Sequence, residues 1–283
     1  MLEFEAIGTP WGIETPEPLE PVVVAAIADR IEAYDLAWSR FRDDSLVTRI
    51  ARTPGSWRLP VEAVALLDVY RALYEATDAR VSPLVGHALE QLGYDAAYSL
   101  RDSGIHAPAI PWADAIAWDG ATLTTYSPVL LDVGAAGKGH LVDLVAGVLR
   151  DHGVHEYVVD ASGDLVHAGP HPTRVALEHP LDASKAIGVV ELANGALCAS
   201  ASNRRAWGAG LHHVIDALTG LPTSNVIATW VMAPSALIAD GLATGLFFAD
   251  AARFDALGPF QWARMLSTGR VEHSDDFEGE LFL

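Results

Sequence analysis

The sequence predicts an α+β fold with mixed and antiparallel sheets packed against helices. Long amphipathic segments and short apolar stretches follow one another along 283 residues without the regular strand–helix repeat of a doubly wound sheet. Asp119-Gly120, between Ile116–Trp118 and Thr122–Thr124, is typical of a hairpin turn. Hydrophobic residues make up 51% of the chain, enough to bury a large core, and we expect one domain over residues 1–283.

Two helices and one strand are expected in the first quarter of the chain. Pro21–Trp38 carries apolar residues three or four positions apart, which predicts an amphipathic helix. A second helix is expected to begin at Pro60, because proline is favoured at the first helical position. Phe4–Trp11 is expected to form a short strand, and Ser39–Ser45 breaks the helical pattern and is predicted to be a polar loop.

The middle of the chain alternates predicted strands with one long helix. Leu130–Asp132 is interpreted as a strand end, and an amphipathic helix is expected after Gly139 and before Gly153. Tyr157–Asp160 is predicted to be a buried strand that runs into a turn at Ala161–Asp164. Further short strands are predicted at Arg174–Leu177, Ile187–Leu192 and Ala228–Met232.

The segment Val226–Ala249 is long enough to cross a bilayer, but Pro234 and Asp240 interrupt it. We therefore expect a buried strand, a turn and a buried helix that begins near Ala236, and no membrane span. Because the N-terminal residues show neither a basic region followed by an apolar one nor a lipoprotein cysteine, a cytoplasmic location is expected.

The formal net charge of −19 argues against binding to nucleic acid or to an anionic membrane surface. A phosphate-bearing ligand would therefore need a bound cation or a local cluster of Lys, Arg or backbone N–H groups. Cys198 is the single cysteine, which excludes an intrachain disulfide and a cysteine-based zinc site.

The segment Asp132–Gly139 places several glycines before a predicted helix. Glycine lets the backbone approach a ligand closely, free N–H groups at a helix start favour anions, and Lys138 adds a positive charge. The segment is neither a Walker P-loop nor a Rossmann fingerprint, because its glycines fall at other spacings and Gly139 follows the lysine. A tight turn with a solvent-exposed lysine explains it equally well.

Asp240 and Thr244 are four residues apart in the predicted C-terminal helix and so share one of its faces. Both side chains offer oxygen donors, which suits Mg²⁺ or Ca²⁺ better than zinc. The alternative is an acid on the solvent-facing side of the helix with Thr244 bonded back to a carbonyl, and the pair alone favours that alternative.

The segment His212–Pro222 is interpreted as a strand end followed by a turn. One of its histidines could act as a general base or contact a phosphate near neutral pH. The alternative, slightly favoured by the residues alone, is a turn held by Asp216 and Thr219 with histidines on the surface. Arg204-Arg205 either meets a phosphate or forms salt bridges.

In this order, the three segments resemble the ApbE family of FAD:protein FMN transferases. Asp132–Gly139 is similar to the family pattern Asp-x-Gly-x-x-x-Lys-Gly, and His213–Pro222 to its pattern His-x-Ile-Asp-Pro-x-Thr-Gly-x-Pro. Ala239–Thr244 is similar to its Ala-Asp-Ala-x-Ala-Thr helix. Weaker similarities extend the match over nearly the whole chain, at Gly8–Trp11, Ser39–Ser45, Thr77–Val85 and Val159–Asp164.

The resemblance implies an ApbE-like fold and a Mg²⁺-dependent transferase that moves FMN from FAD to a Thr or Ser hydroxyl of an acceptor protein and releases AMP. Mn²⁺ and Ca²⁺ are possible substitutes for Mg²⁺. Asp240, Thr244 and the Gly137 carbonyl are implied as metal ligands. An FAD pyrophosphatase that uses water as the acceptor, and an FAD-binding protein without turnover, are the alternatives.

The same resemblance implies two catalytic residues and a set of FAD contacts. His213 would be the base or orienting group for the acceptor hydroxyl, and Lys138 would support the pyrophosphate. The residues implied to bind FAD are Asp78, Asp160, Ser162, Gly163, Asp164, Lys138, Ser39 and Ser45.

Some positions depart from the family pattern. Ala217 stands where the family often has proline, and Thr77–Arg80 replaces the usual Phe-Asp-Pro-Thr. Ala199–Ala201 replaces a usual Thr-Ser-Gly, and Gly137 replaces a usual alanine. These departures leave the implied side-chain metal ligands intact and bear on flavin affinity and on the choice of acceptor.

Overall fold

The computed structural model describes residues 1–208 and 210–282. Two short 3₁₀ helices, Pro83–Val85 and Ala251–Leu257, accompany the α-helices of this part of the chain. The α-helices are α1 (Pro21–Trp38), α2 (Leu46–Arg52), α3 (Ala63–Ala76), α4 (Gly86–Gln91), α5 (Trp112–Ala115), α6 (Gly137–Asp151) and α7 (Ala236–Gly245).

The strands range from two to eleven residues and lie in sheets of different size. They are β1 (Leu2–Ala6), β2 (Thr9–Glu14), β3 (Gly55–Arg58), β4 (Ile116–Trp118), β5 (Thr122–Thr125), β6 (Tyr157–Asp160), β7 (Asp164–Ala168), β8 (Thr173–His179), β9 (Asp182–Leu192), β10 (Gly195–Ala201), β11 (Ala206–Trp207), β12 (Leu211–His212), β13 (Ile215–Asp216), β14 (Leu221–Pro222), β15 (Val226–Ala233), β16 (Gln261–Leu266), β17 (Val271–His273) and β18 (Gly279–Leu281).

The largest sheet has eight strands in the order β1-β2-β6-β7-β10-β15-β16-β17. Each neighbouring pair in it is antiparallel. Two three-stranded sheets, β18-β9-β8 and β3-β5-β4, and the two-stranded pairs β11-β12 and β13-β14 complete the described strands. Antiparallel sheets combined with helices confirm the predicted α+β class.

Side chains on the two faces of the eight-stranded sheet enter different cores, as the two-residue period of a strand requires. On β10, Ala196 and Cys198 pack into the core shared with α1, α3, α6 and α7, whereas Leu197 packs into a second core. That second core also contains Val190 and Leu192 of β9. The molecule is therefore layered as helices, the large sheet and the smaller β18-β9-β8 sheet.

The predicted helices are found, with shifted starts. α1 spans Pro21–Trp38 as expected, but α3 begins at Ala63, with Pro60 in the preceding turn. α6 begins at Gly137 rather than after Gly139. Among the described residues no helix has the length and apolarity needed to cross a bilayer, and the predicted strand and helix of the Val226–Ala249 segment are β15 and α7.

Two strand predictions are wrong. Phe4–Trp11 is not a single strand: Phe4–Ala6 ends β1, Thr9–Trp11 begins β2, and Ile7 and Gly8 form the turn between them with positive φ angles of 45° and 75°. Leu130–Asp132 forms no strand: Asp132 N–H donates to the Pro83 carbonyl at 2.8 Å, and Leu130 and Leu131 are buried in irregular backbone.

Candidate active site

A cavity of about 940 Å³ lies beside the start of α6 and the middle of α7. This volume is near the upper end of the range of ligand pockets, about 300–1,000 Å³. One part of its wall, the polar region, contains Ala135, Lys138, Asp240 and Thr244. The sequence-predicted residues that line the cavity are Ser39, Gly137, Lys138, Ser162, Gly163, His213, Asp240 and Thr244.

The loop before α6 is held in shape by its own aspartate. Asp132 Oδ1 accepts the Gly134 N–H at 2.8 Å, and its Oδ2 accepts Nε of the buried Arg40 at 2.6 Å. The Tyr70 hydroxyl accepts the Ala135 N–H at 3.0 Å. The backbone of this loop is thereby fixed on the cavity wall.

The Ala135 carbonyl of this loop is free because the Gly139 N–H, which would normally bond to it, donates to another acceptor. In a regular helix the Gly139 N–H would bond to the carbonyl four residues earlier, that of Ala135. Here it donates to Asp240 Oδ2, 2.9 Å away. Within the described part of the chain no other donor reaches the Ala135 carbonyl, so this oxygen is available to a ligand on the wall that carries Asp240.

The Gly137 carbonyl, in contrast, already has partners. It accepts a hydrogen bond from the Tyr34 hydroxyl at 2.9 Å. As the first residue of α6, Gly137 also directs its carbonyl toward the Leu141 N–H in the helical pattern. This oxygen therefore already has one side-chain partner, and the metal-ligand role expected for Gly137 stays a prediction.

A buried histidine stands behind this contact. His140 Nδ1 lies 3.3 Å from the Tyr34 hydroxyl oxygen, and the two rings meet edge to face with centroids 5.5 Å apart. Burial, and then the charge of Arg30, lower the pKa of His140 to about 4. His140 is therefore neutral near pH 7 and packs as an uncharged side chain behind the polar region.

Asp240 and Thr244 lie on one face of α7, as their spacing predicts, and both line the cavity. Asp240 is only 4% exposed. Burial, and then the neighbouring charge of Asp164, raise the pKa of Asp240 well above its usual value. A buried carboxylate of this kind is stabilised when a cation binds beside it.

α7 is fastened to α6 at its N-terminus. Asp143 of α6 accepts the N–H groups of Ala236 and Leu237, each at 2.9 Å, and Ser235 caps the helix by accepting the Ile238 N–H at 3.3 Å. A Cβ at Gly139 would lie 2.1 Å from the Ala236 carbonyl oxygen, so the two helices approach this closely only because position 139 is glycine.

Lys138 is not the solvent-exposed lysine of the alternative interpretation. Its Nζ donates to the Ala161 carbonyl at 2.9 Å and lies 3.0 Å from Oδ2 of the fully buried Asp164. Burial opposes the charged form of Lys138, but the charges of Asp164 and Asp240 outweigh it and raise the pKa of Lys138. Asp164 therefore lies behind Lys138 and does not line the cavity.

The turn between β6 and β7 presents backbone to the cavity. Ser162 and Gly163 line it, with φ angles of 57° and 102°. Asp160 stabilises the turn by accepting the Gly163 N–H at 3.1 Å, and the Ser162 hydroxyl donates to the Pro10 carbonyl at 2.8 Å. Asp160 does not belong to the cavity wall.

The turn His212–Pro222 combines features of both interpretations. Asp216 holds it by accepting the Leu218 N–H at 2.9 Å, and Asp216 is itself 8% exposed. The histidines, however, are not on the surface. His212 is buried, with Nε2 2.8 Å from the Thr223 carbonyl oxygen, whereas His213 lines the cavity.

His213 carries a nitrogen that is free to accept a proton. Its Nδ1 is buried and has no hydrogen-bond partner within the described part of the chain. Burial, followed by the charge of Arg205, lowers the pKa of His213 to about 3. The imidazole is therefore neutral near pH 7, and His213 brings a nitrogen without a hydrogen-bond partner to the cavity.

Three other predicted residues have different surroundings. Ser45 is fully buried as the N-cap of α2 and accepts the Thr48 N–H at 3.2 Å. Asp78 is exposed and makes a bidentate ion pair with Arg253, at 2.6 and 2.7 Å. Neither side chain lines the cavity, whereas Ser39 does.

The sequence did not point to Phe41, Tyr94 and Tyr98, which together with Trp207 form the aromatic region of the cavity wall. Tyr94 stacks on Trp207 with ring centroids 5.5 Å apart, and Phe41 stacks on Tyr98 at 5.0 Å. The Arg40 guanidinium lies 4.9 Å from the Tyr94 ring centroid and links this region to Asp132. Such surfaces favour flat rings.

The arrangement suits an anionic ligand with a flat ring and a bound cation. Within residues 1–208 and 210–282, no three His, Cys, Asp or Glu side chains come together to hold a metal ion. The available donors are instead one carboxylate, one hydroxyl and one free carbonyl. That set fits Mg²⁺, which usually takes one or two carboxylates together with substrate phosphates.

Comparison with known proteins gives a consistent result. Residues 7–258 match the ApbE family. The FAD:protein FMN transferase of Vibrio cholerae serotype O1 is 31% identical over 268 residues, which cover 87% of this chain and 80% of that protein. The FAD:protein FMN transferase of Salmonella typhimurium is 25% identical over 276 residues, covering 87% of this chain and 77% of that protein.

Solved structures show the same fold. The crystal structure of the ApbE protein from Thermotoga maritima has a TM-score of 0.81 at 22% identity and covers 97% of this chain and 96% of that one. The flavin transferase ApbE from Vibrio cholerae has a TM-score of 0.79 at 22% identity, with 98% and 97% covered. The layered α+β architecture is therefore shared with these proteins.

Proposed function

The chain belongs to the ApbE family, and we propose that it is a FAD:protein FMN transferase. In the proposed reaction, a Thr or Ser hydroxyl of an acceptor protein attacks the FMN phosphorus of FAD. The new O–P bond forms as the bond to AMP breaks, and AMP leaves. The observation that carries this proposal is the polar region, where Asp240 and Thr244 share one helical face beside Lys138.

We propose Asp240, Thr244 and the Ala135 carbonyl as the groups that hold a divalent cation, Mg²⁺ above all. We propose the Ala135 oxygen in preference to the expected Gly137 carbonyl, which stays the alternative ligand, because the Gly137 carbonyl already accepts a hydrogen bond from Tyr34. A bound Mg²⁺ would neutralise phosphate charge and polarise the phosphorus centre. Mn²⁺ and Ca²⁺ prefer the same oxygen donors and are the proposed substitutes.

Lys138 is proposed to contact the pyrophosphate. Its charge is secured by Asp164, 3.0 Å from Nζ, so that it stays protonated in a buried place. The Ser162–Gly163 turn and Ser39 would contact the rest of FAD from the same wall. Asp160 and Asp164 would act from behind that wall, through the turn and through Lys138.

His213 is proposed to accept the proton of the acceptor hydroxyl at Nδ1 as the O–P bond forms. With a pKa lowered to about 3 the ring is unprotonated over the whole neutral range, and the anionic substrate beside it would raise that pKa and favour proton transfer. The free Nδ1 supports this role, because a purely structural buried histidine normally has partners for both ring nitrogens.

The experiment incubates the protein with FAD and Mg²⁺, with and without a co-expressed neighbouring protein as acceptor. Mass spectrometry follows AMP release and an FMN adduct on the acceptor. AMP release that depends on the acceptor and matches the adduct supports the transferase. Rapid release of FMN and AMP without any acceptor would instead identify a pyrophosphatase, and FAD binding without AMP would identify a non-catalytic binder.

Two expectations from the sequence stay predictions. One is the organisation of residues 1–283 as a single domain, and the other is the cytoplasmic location. Limited proteolysis and fractionation of cells test them directly.

A further inference from the structure

We propose that Arg80 is a positioning residue that holds the turn carrying His213 in place for the reaction. The proposal rests on the proposed function, because it assigns a purpose to the position of His213. Arg80 does not line the cavity itself. It acts on residues 216 and 217, at the base of the His212–Pro222 turn, through both its side chain and its backbone.

The side chain of Arg80 makes the first contact. Its guanidinium Nη1 donates to Oδ2 of Asp216, whose side chain is only 11% exposed. The other carboxylate oxygen of Asp216 accepts the Leu218 N–H at 2.9 Å. Arg80 thereby neutralises the carboxylate that organises the turn and leaves its second oxygen free to cap the backbone.

The backbone of Arg80 makes the second contact. Its carbonyl accepts the N–H of Ala217 at 3.0 Å, and Ala217 is 2% exposed. The Ala217 carbonyl in turn accepts the Ala109 N–H at 2.7 Å. Ala217 is therefore fixed from two sides, and one of them is the residue that already pairs with Asp216.

Arg80 itself sits on a well-anchored segment. The Ala79 N–H donates to the Tyr74 carbonyl at 2.7 Å as the chain leaves α3. Thr77 Oγ1 accepts the Val81 N–H at 3.0 Å from the buried side. Because both neighbours of Arg80 are tied to the end of α3, its contacts transfer the rigidity of that helix to the turn.

These contacts leave His213 between two fixed points. On one side, His212 lies 2.8 Å from the Thr223 carbonyl oxygen through its Nε2. On the other side, β13 pairs with β14 through Asp216 and Leu221, and Arg80 holds Asp216. Releasing Arg80 would free one of these two points and let the imidazole leave the position from which it meets the acceptor hydroxyl.

A turn of this kind must be held within a fraction of an ångström for proton transfer, since misplacement by about 1 Å can cost 100-fold in rate. Arg80 is 42% exposed, so its ion pair adds little to global stability. A merely structural pair would therefore change the melting temperature slightly and leave the rate constant alone, whereas a positioning pair changes the rate constant.

The test compares Arg80→Ala and Arg80→Lys with the wild-type protein, with Arg52→Ala as the matched control. Arg52 also forms an exposed Arg–Asp pair, with Asp43, and does not line the cavity. The assay measures kcat and KM for FAD in the transfer reaction. Hydrogen exchange of the Thr219 and Gly220 amides, which donate to the Asp216 carbonyl, is followed in the same proteins.

We expect Arg80→Ala to lower kcat about tenfold with KM for FAD within about twofold, and to speed amide exchange in the turn about tenfold, as loss of one charged hydrogen bond implies. Arg80→Lys should recover most of the rate, and Arg52→Ala should match wild type. An unchanged kcat, equal changes in kcat and KM, or unchanged exchange would overturn the proposal. If wild type neither transfers FMN nor cleaves FAD, the proposed function fails, and the exchange result still decides whether Arg80 holds the turn.

Discussion

The polar region and the His213 turn line the same cavity but are built from different material. The polar region stands on α6 and α7, which are fastened together by Asp143 and by the Gly139–Asp240 hydrogen bond. The His213 turn is built from the two-residue strands β12, β13 and β14 and is held by Arg80 and by a backbone hydrogen bond from Ala109. In the charged pair of the first region Asp164 is fully buried and Lys138 is 22% exposed, whereas Arg80 in the second region is 42% exposed.

This difference indicates a division of work. A cation and a pyrophosphate need a fixed charge arrangement that does not reorganise, which packed helices supply. An acceptor protein must reach His213 from outside, and surface loops on a rigid scaffold provide such access. Changes at the polar region should therefore affect binding, chemistry and stability together, whereas changes at the turn should affect the rate selectively.

The largest effect is expected for Asp240→Asn, which keeps the size of the side chain and removes its charge. Mg²⁺-dependent AMP release should fall by at least about 100-fold, since a preorganised charge at the reacting phosphate is lost. Calorimetry with Mg²⁺ should show weaker binding, and Thr244→Ser, which keeps the hydroxyl, should stay near wild type. Wild-type activity in Asp240→Asn would show that the metal lies elsewhere.

A large stability effect is expected for Lys138→Met. This change leaves the fully buried Asp164 without its charge partner, and breaking a buried pair in this way costs about 3–5 kcal/mol. Urea unfolding at neutral pH measures the loss, and Lys138→Met combined with Asp164→Leu should restore much of it. Arg80→Met should lower the free energy of unfolding by only about 1 kcal/mol or less. Equal losses for the two variants would contradict the difference between the two regions.

The last effect develops only in acid. The pKa values of His140 and His213 are lowered to about 4 and about 3 in the folded chain, while an unfolded histidine titrates near pH 6.5. The unfolded state therefore binds more protons below pH 6.5, and stability that is complete above that value is lost as the pH falls.

Each of these histidines should contribute a loss of up to about 1.4 kcal/mol per pH unit between pH 6.5 and 4.5. Thermal unfolding of His140→Gln and His213→Gln across that window measures the two contributions separately. Each variant should flatten the pH dependence, and His213, whose pKa in the folded chain is the lower, should contribute at least as much as His140. A dependence unchanged in the double variant would refute the assignment.

Features with a local cause could be predicted from the sequence. The spacing of Asp240 and Thr244 puts them on one helical face wherever the helix packs, and Ser235 is a preferred N-cap residue. The hairpin at Asp119-Gly120 likewise follows from its turn chemistry. In each case neighbouring residues in the chain decide the outcome.

Features with a distant cause could not be predicted from the residues. Leu130 and Leu131 are as apolar as strand residues, but a buried irregular segment and a buried strand have the same composition. The free Ala135 carbonyl depends on the hydrogen bond from Gly139 to Asp240, two residues that lie 101 positions apart in the sequence. The pairing of Tyr94 with Trp207 has the same origin.

Gly139 sets the spacing of two opposite charges. Its missing side chain lets α6 rest on the Ala236 carbonyl, and its N–H reaches Asp240. The distance between Lys138, the preceding residue, and Asp240 is therefore set by the packing of the two helices rather than by either side chain. Glycine at position 139 therefore fixes the distance between α6 and α7. Any larger residue there would increase that distance for every ligand that binds between the two helices.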